Sequence, residues 1–343
     1  MQKRLDEILR AIGYPEVDAV TPLHAHASYR AYYRVRLRDN TSLILMAMPK
    51  GAQSVSEEIT NSGIKPTELP FVNVARALAE VGLAVPKLLH ESPEDRWLFL
   101  EDIGDCHLAS VVAQADDVGR AACYRRAIDC MVALQTKTQR LRAEHCIALQ
   151  RSFDATLLNW EFDHFREYGI EARQGIALPD AVRTAFEKQT RALTNAILEM
   201  PYGFTHRDFQ SRNLMVRNDA IVLLDFQDAL RGPYVYDLVA LLRDSYVELS
   251  PPLVADLIGY FAERTGRDPA ATHADFHRVT VQRKFKDAGR FVFIDRVKGN
   301  PDYLRFIPRS LGYAHDALVQ LPHGDALIAL LQPYVPEWRP PDA

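Results

Sequence analysis

The chain has 343 residues, 48% of them apolar and 25% charged, with a formal net charge of −4 at pH 7. That balance excludes a disordered chain and gives enough length for two lobes. An acidic chain without a basic tract is a poor general binder of nucleic acid or membrane surfaces, and the lack of a long apolar run or a hydrophobic leader makes a cytoplasmic protein with a small-molecule partner the expectation, with no protein partner inferred.

In chain order, residues 32–37 alternate in polarity, Asp39-Asn40 supplies a turn, and residues 42–48 form a second strand ending at Pro49, which together predict a hairpin. Residues 50–70 read as loop. Residues 71–81 repeat apolar side chains at helical spacing and stop at Gly82. Strands are predicted at 85–90 and 97–101, the second running into Asp102-Ile-Gly-Asp105, where the glycine marks a hinge. Beyond it the spacing predicts helices over 118–135, 182–200, 236–243 and 252–265, a short buried strand at 221–224, and an unstructured end from Arg339. Cys106, Cys123, Cys130 and Cys146 contain no C-x-x-C pair and read as reduced, packed thiols. Neither a P-loop nor a Rossmann glycine fingerprint occurs. His24 and His26 read as a surface loop.

The chemistry is concentrated in Phe204-Thr-His-Arg-Asp-Phe-Gln-Ser-Arg-Asn-Leu-Met-Val216 and in Asp225-Phe-Gln-Asp228. Phosphoryl transfer to a hydroxyl needs a carboxylate to position the nucleophile and accept its proton, and Asp208 has the spacing for that catalytic role. Asn213, five residues on, and Asp225, at the end of the strand, are the expected Mg²⁺ ligands. His206 is expected to brace the loop. Asp228 is left between assisting the metal, holding an acceptor hydroxyl and capping.

The order of strands, hinge, helices and these two motifs resembles the aminoglycoside phosphotransferase and choline kinase branch of the protein-kinase-like fold. Within it, Ala27-Ser-Tyr-Arg-Ala-Tyr-Tyr-Arg34, the catalytic loop, Gly232-Pro-Tyr-Val-Tyr-Asp-Leu238 and Val281-Gln-Arg-Lys-Phe-Lys286 with its downstream Tyr303-Leu304 resemble the bacterial anomeric kinases of N-acetylmuramate and N-acetylglucosamine. The resemblance implies an α+β, bilobal fold: a β-rich lobe with one packing helix over residues 1–103 and a helical lobe over 104–343. It also implies ATP and Mg²⁺ as cofactors and an amino sugar as acceptor. Ser28 is then expected on the phosphates, adenine against Glu101 to Ile103, and Asp237 in a structural tie to the catalytic loop. Trp160, Glu161, Arg207, Gln210 and Arg283 are the expected sugar contacts, with His164 beside them. Arg283, Lys284 and Lys286 suit an acidic sugar better than a polycationic one. A kinase of another small alcohol (aminoglycoside, choline or homoserine type) and a catalytically dead nucleotide-binding regulator are the alternatives. An aromatic cage for choline is not expected near the motif.

One position departs from the kinase pattern. The lysine expected in the third strand is replaced in Leu43-Ile-Leu-Met-Ala-Met48, where alternation assigns its place to Met46. Arg30 is the expected substitute cation on the phosphates, with Arg34 next in line.

Overall fold

A computed structural model describes residues 1–23, 30–48, 64 and 67–339. Ser28, Lys50 and most of the expected 50–70 loop lie outside the described residues. The chain opens with helix α1 (Gln2–Ala11), which the sequence patterning did not reveal, and buries Leu5, Ile8 and Leu9 against one face of a sheet. That sheet has five antiparallel strands in the order β1-β2-β3-β5-β4: β1 (Val17–Leu23), β2 (Ala31–Leu37), β3 (Ser42–Ala47), β4 (Leu88–Ser92) and β5 (Trp97–Glu101). The expected hairpin is β2–β3. Its turn is set by Asn40, which takes the left-handed conformation at φ 66°, while the Asp39 carboxylate accepts from Thr41 N–H and Oγ1.

Helix α2 (Pro70–Glu80) packs on the other face of the sheet and ends where Gly82 turns left-handed at φ 70°. The helical half contains α3 (Leu108–Gln114), α4 (Asp117–Lys137), α5 (Ala155–His164), α6 (Asp180–Leu198), α7 (Tyr236–Leu242), α8 (Pro251–Thr265), α9 (Pro269–Lys298), α10 (Ile307–Val319) and α11 (Gly324–Leu331). A π-helical stretch, Phe165–Ala172, continues α5. Two small ribbons interrupt the helices: β6 (Tyr202–Thr205) pairs with β9 (Leu230–Pro233), and β7 (Leu214–Arg217) with β8 (Ala220–Leu223).

The largest apolar cluster crosses the hinge. Met46, Leu98 and Leu100 of the sheet share it with Phe71 and Leu78 of α2 and with Phe226 and the buried side of α4, and the Phe71 and Phe226 rings stack at 4.9 Å. Packing therefore couples α2 directly to the Asp225 loop. Gly104 supplies the hinge bend at φ 89°. Behind the catalytic loop runs α9, 30 residues long, whose stretch from Val279 to Phe285 is buried on all sides. At Gly289 an added Cβ would lie 2.8 Å from the His164 carbonyl and from Phe165 Cα, so the absent side chain is what lets α9 and α5 approach. Among the packed thiols expected from the sequence, Cys106 is instead exposed, just past the hinge, while Cys123 and Cys146 are buried.

Candidate active site

The catalytic loop leaves β6 and is held by two buried carboxylates. Asp237, near the start of α7, accepts from His206 N–H at 2.7 Å and Arg207 N–H at 3.0 Å. Asp244 accepts from Ser211 through both its N–H, at 2.9 Å, and its hydroxyl. The Asp237 tie stabilises a backbone that the sequence disfavours, since Arg207 stands at φ 75°; Asp225 in the facing loop is also left-handed, at φ 59°. His206 is buried against the edge of Phe209, and burial lowers its pKa to about 4, so it is neutral filling within the loop.

Asp208 points into the cleft with its side chain 33% exposed and receives Arg283 Nη2 on Oδ1 at 3.2 Å. Burial acts to raise its pKa, but Lys286, Arg283 and Arg207 together hold it below the ordinary carboxylate range. It is therefore an ionised acceptor. Asn213 donates its amide nitrogen to the Asp208 carbonyl at 2.9 Å, which directs its oxygen away from that bond. The Leu224 N–H reaches the Asn213 carbonyl at 2.9 Å and ties the two loops together.

At Asp225, burial, then the charge of Asp208 and that of Asp228, push the pKa up to about 6, against the opposing effects of Gln227 and Arg30. Carboxylates gathered with too little positive charge, beside a neutral amide oxygen, are a donor set suited to a hard dication such as Mg²⁺. Gln227 Nε2 orients the set by donating to Asp225 at 2.9 Å and to Asp228 at 3.2 Å. From the sheet, Arg30 brings Nη1 to 4.0 Å from Asp225 Oδ1.

Two cavities meet at this centre, sharing Arg212, Asn213 and Asp225 in their walls. The first, about 340 Å³, lies under the sheet between Ile44, Leu100, Ile103, Met215 and Phe226. Its shape and apolar walls suit a flat heterocycle, and the Ile103 N–H on its rim makes no hydrogen bond with another described residue. The second, about 250 Å³, contains Asp208 and is walled by Trp160, Glu161, His164, Arg207 and Gln210 on one side and by Lys286, Arg290 and Phe291 of α9 on another.

A profile of the phosphotransferase enzyme family matches residues 19–274. The chain belongs to that family. This phosphotransferase is 30% identical to the N-acetylmuramate/N-acetylglucosamine kinase of Pseudomonas aeruginosa, over 96% of the chain and 94% of the relative. It is 29% identical to the kinase of the same name from Neisseria meningitidis, over 88% and 86% respectively. Choline kinase LicA from Streptococcus pneumoniae superposes with a TM-score of 0.62 at 15% identity, covering 94% of this chain and 99% of that one. An ADP-bound aminoglycoside phosphotransferase superposes at 0.60 and 13% identity, covering 92% and 98%. The enzyme is thus a kinase with the expected α+β, protein-kinase-like fold.

The structure brings Asp208, Asn213, Asp225, Trp160, Glu161, Arg207 and Gln210 together around the second cavity, with Ile103 and Glu101 on the first. Four expectations need correction. Arg283, expected on the sugar, is fully buried behind the catalytic loop, where it holds the Arg207 carbonyl at 2.6 Å as well as Asp208. Lys284 is likewise turned inward, paired with Asp287 at 2.8 Å. Arg34 is committed to the hinge, donating to Asp102 at 2.7 Å and to Asp105 at 2.8 Å, and is not placed to substitute for a strand lysine. Glu161 reaches the cavity wall yet has no exposed surface, its oxygens taken by Arg207 at 3.1 Å and Gln282 at 2.5 Å.

Sequence patterning gave no sign of Tyr246 and Phe291, and gave Tyr303 only as part of the resemblance; all three join Trp160 in the second cavity, from segments far apart in the chain. Arg212 covers the Tyr246 ring at 3.8 Å. Asp244 and Gln227 were missed too, the first because nothing in its local sequence marks a tie to a loop 33 residues earlier.

Proposed function

We propose that this phosphotransferase moves the γ-phosphate of ATP to the anomeric hydroxyl of N-acetylmuramate and N-acetylglucosamine, giving the sugar 1-phosphate. The observation that carries this reading is the meeting of an apolar cavity and a polar, aromatic-walled cavity at Arg212, Asn213 and Asp225, with Asp208 on the acceptor side. Residues 1–103 then cover the nucleotide and residues 104–343 carry the catalytic loop and the acceptor.

In this reading adenine lies between Ile44, Leu100 and Met215, with the Ile103 N–H reading its edge. Asn213 and Asp225 hold Mg²⁺, which when bound neutralises the phosphate oxygens. Asp208 is fixed by Arg283 through Oδ1, which leaves Oδ2 to orient the acceptor hydroxyl and take its proton. Because the neighbouring cations keep Asp208 ionised, its first task is orientation, with proton acceptance late in transfer. Trp160 offers a flat apolar face to a sugar ring, and Gln210 and Arg207 offer hydrogen bonds.

The aromatic set in the acceptor cavity raises a quaternary ammonium acceptor as a second reading. Arg212, Lys286 and Arg290 in the same walls oppose it, as they oppose a polycationic aminoglycoside. The test is product analysis by mass and NMR after incubation with ATP, Mg²⁺, free N-acetylglucosamine and its methyl glycoside. Free sugar should give the 1-phosphate and the methyl glycoside should give nothing. A phosphorylated methyl glycoside would replace the anomeric acceptor with another hydroxyl, and turnover of choline alone would move the assignment to the second reading.

A further inference from the structure

Three alternate residues at the start of β2 form a series along the first cavity. Arg34 stands at the hinge end, donating to Asp102 at 2.7 Å. Arg30 stands at the other end, with Nη1 4.0 Å from Asp225 Oδ1. Tyr32 lies between them and lines the cavity together with Arg34, Ile44 and Asp225. The series therefore runs from the hinge to the candidate metal carboxylate, the direction in which a nucleotide held by its base at the hinge would lay its phosphates.

In the register of β2 with β3, Tyr32 pairs with Met46 and Arg34 with Ile44. Directly opposed residues of antiparallel strands project from the same face, so the Tyr32 ring stands beside the place where the kinase pattern puts its lysine. Met46 has no exposed surface, whereas Tyr32 is half-buried, packs on the same apolar cluster and reaches the cavity wall. Burial, then the charge of Asp225, push the Tyr32 hydroxyl pKa up to about 12, opposed by Arg30 through its charge and a hydrogen bond. A guanidinium can only donate, so the tyrosine oxygen accepts from Arg30 and keeps its own proton for another acceptor.

We propose that Tyr32 is a phosphate-binding residue of this kinase, its hydroxyl donating to an oxygen of the α- or β-phosphate of the nucleotide. The inference rests on the first cavity being the nucleotide site. It divides the task of the absent strand lysine between two side chains of one strand: Arg30 brings charge to the metal end, and Tyr32 brings a neutral donor nearer the base. The ring, packed on the core, holds that donor at a fixed height above the cavity and restricts it more than a lysine stem would be restricted. Tyr32 therefore recognises the phosphates of the nucleotide and leaves its base and the acceptor untouched.

The experiment measures binding of Mg·ADP and of adenosine by calorimetry, and the KM for ATP, in the wild type, in Tyr32→Phe and in Ile44→Trp, with thermal melts to confirm folding. Tyr32→Phe keeps the ring and removes only the donor. It should melt like wild type, bind adenosine within about twofold of wild type, and lose about tenfold in affinity for Mg·ADP, the scale of one hydrogen bond to a charged group. The KM for ATP should rise in step. Wild-type affinity for Mg·ADP in Tyr32→Phe would overturn the phosphate contact, and an equal loss on adenosine and Mg·ADP would reduce Tyr32 to a part of the cavity wall. Ile44→Trp, which fills the same cavity, should weaken both ligands alike. A folded Ile44→Trp that binds both like wild type would overturn the nucleotide reading of the cavity, and the Tyr32 contact with it.

Discussion

Arg283 Nη2 meets Asp208 Oδ1 at 3.2 Å from a position with no solvent exposure, so the proposed base is aimed by a cation that no substrate touches. Because Nη1 of the same guanidinium holds the Arg207 carbonyl at 2.6 Å, one side chain fixes both the backbone and the carboxylate of the loop.

Arg283→Met should therefore destabilise the fold by about 1.5–3 kcal/mol, the range for hydrogen bonds involving a charged group. It should also lower kcat more than it changes the KM for ATP. Since Arg283 is one of the groups holding the Asp208 pKa down, its removal should move the acidic limb of the pH–rate profile to higher pH. Thermal melts and a kcat profile against pH check both parts. A variant with an unmoved acidic limb would show that Arg283 supports the fold without tuning Asp208.

Asp208→Asn keeps the shape of the side chain and removes proton acceptance. Turnover should fall by about 10²–10⁴-fold, with nucleotide affinity close to wild type. Isothermal titration of ATP alongside product formation separates the two. Wild-type turnover in this variant would remove Asp208 from the chemistry.

Asp225 contributes a pH dependence whose direction follows from its neighbours. Its pKa in the folded chain is raised to about 6, above the ordinary value of 3.8, so without metal its stabilising effect is complete below about pH 4 and is lost as pH rises through 6. At neutral pH the ionised carboxylate is then a net cost. Asp225→Asn should raise the metal-free melting temperature at pH 7, by the equivalent of about 1 kcal/mol after allowance for the solvent that reaches a side chain 42% exposed, and should do little at pH 4. In the presence of Mg·ATP the order should reverse, because the wild type alone keeps its anionic metal ligand. Melts at both pH values with and without Mg·ATP test this, and equal gains at pH 4 and pH 7 would rule out the carboxylate charge as the cause.

Legibility in the sequence followed burial geometry. Strands β2, β3 and β5 each bury one face or sit at a clear hydrophobic boundary, and helices α2, α4 and α8 have strong start and stop residues, so their spans were readable to within a few residues. The motif residues were readable because their spacing is dictated by the chemistry. α9 was not, since its central turns are buried all round and periodicity no longer reports which way a polar side chain faces. That is why Arg283 reads from the sequence as a sugar contact and Lys284 as part of the charge that suits an acidic sugar, although one holds the catalytic loop and the other pairs with Asp287. The cations that do reach the acceptor cavity, Lys286 and Arg290, lie three and seven positions beyond Arg283, a difference visible only once α5 and Gly289 fix the rotation of the helix.

Met46 and Arg30 test how the enzyme works without a strand lysine. Met46 has no solvent exposure and packs in the cluster shared by the sheet, α2 and Phe226, so the position that carries the cation in other kinases is here part of the core. Glu80, the acid of α2, is exposed at the end of that helix. Arg30 enters from the start of β2 with its side chain 20% exposed and Nη1 4.0 Å from Asp225 Oδ1, close enough to contact phosphate oxygens gathered at a metal on that carboxylate. The two residues should therefore fail differently. Met46→Ala should cost about 2–5 kcal/mol of stability, as a core truncation, and leave the KM for ATP near wild type in the folded fraction. Arg30→Ala should melt close to wild type and lose about tenfold or more in kcat/KM for ATP, with a partial recovery in Arg30→Lys, which restores the charge without the fork. Wild-type ATP kinetics in Arg30→Ala would leave the phosphates without this cation. A raised KM for ATP in a stably folded Met46→Ala would instead mean that the packing of β3 against α2 shapes the nucleotide cavity.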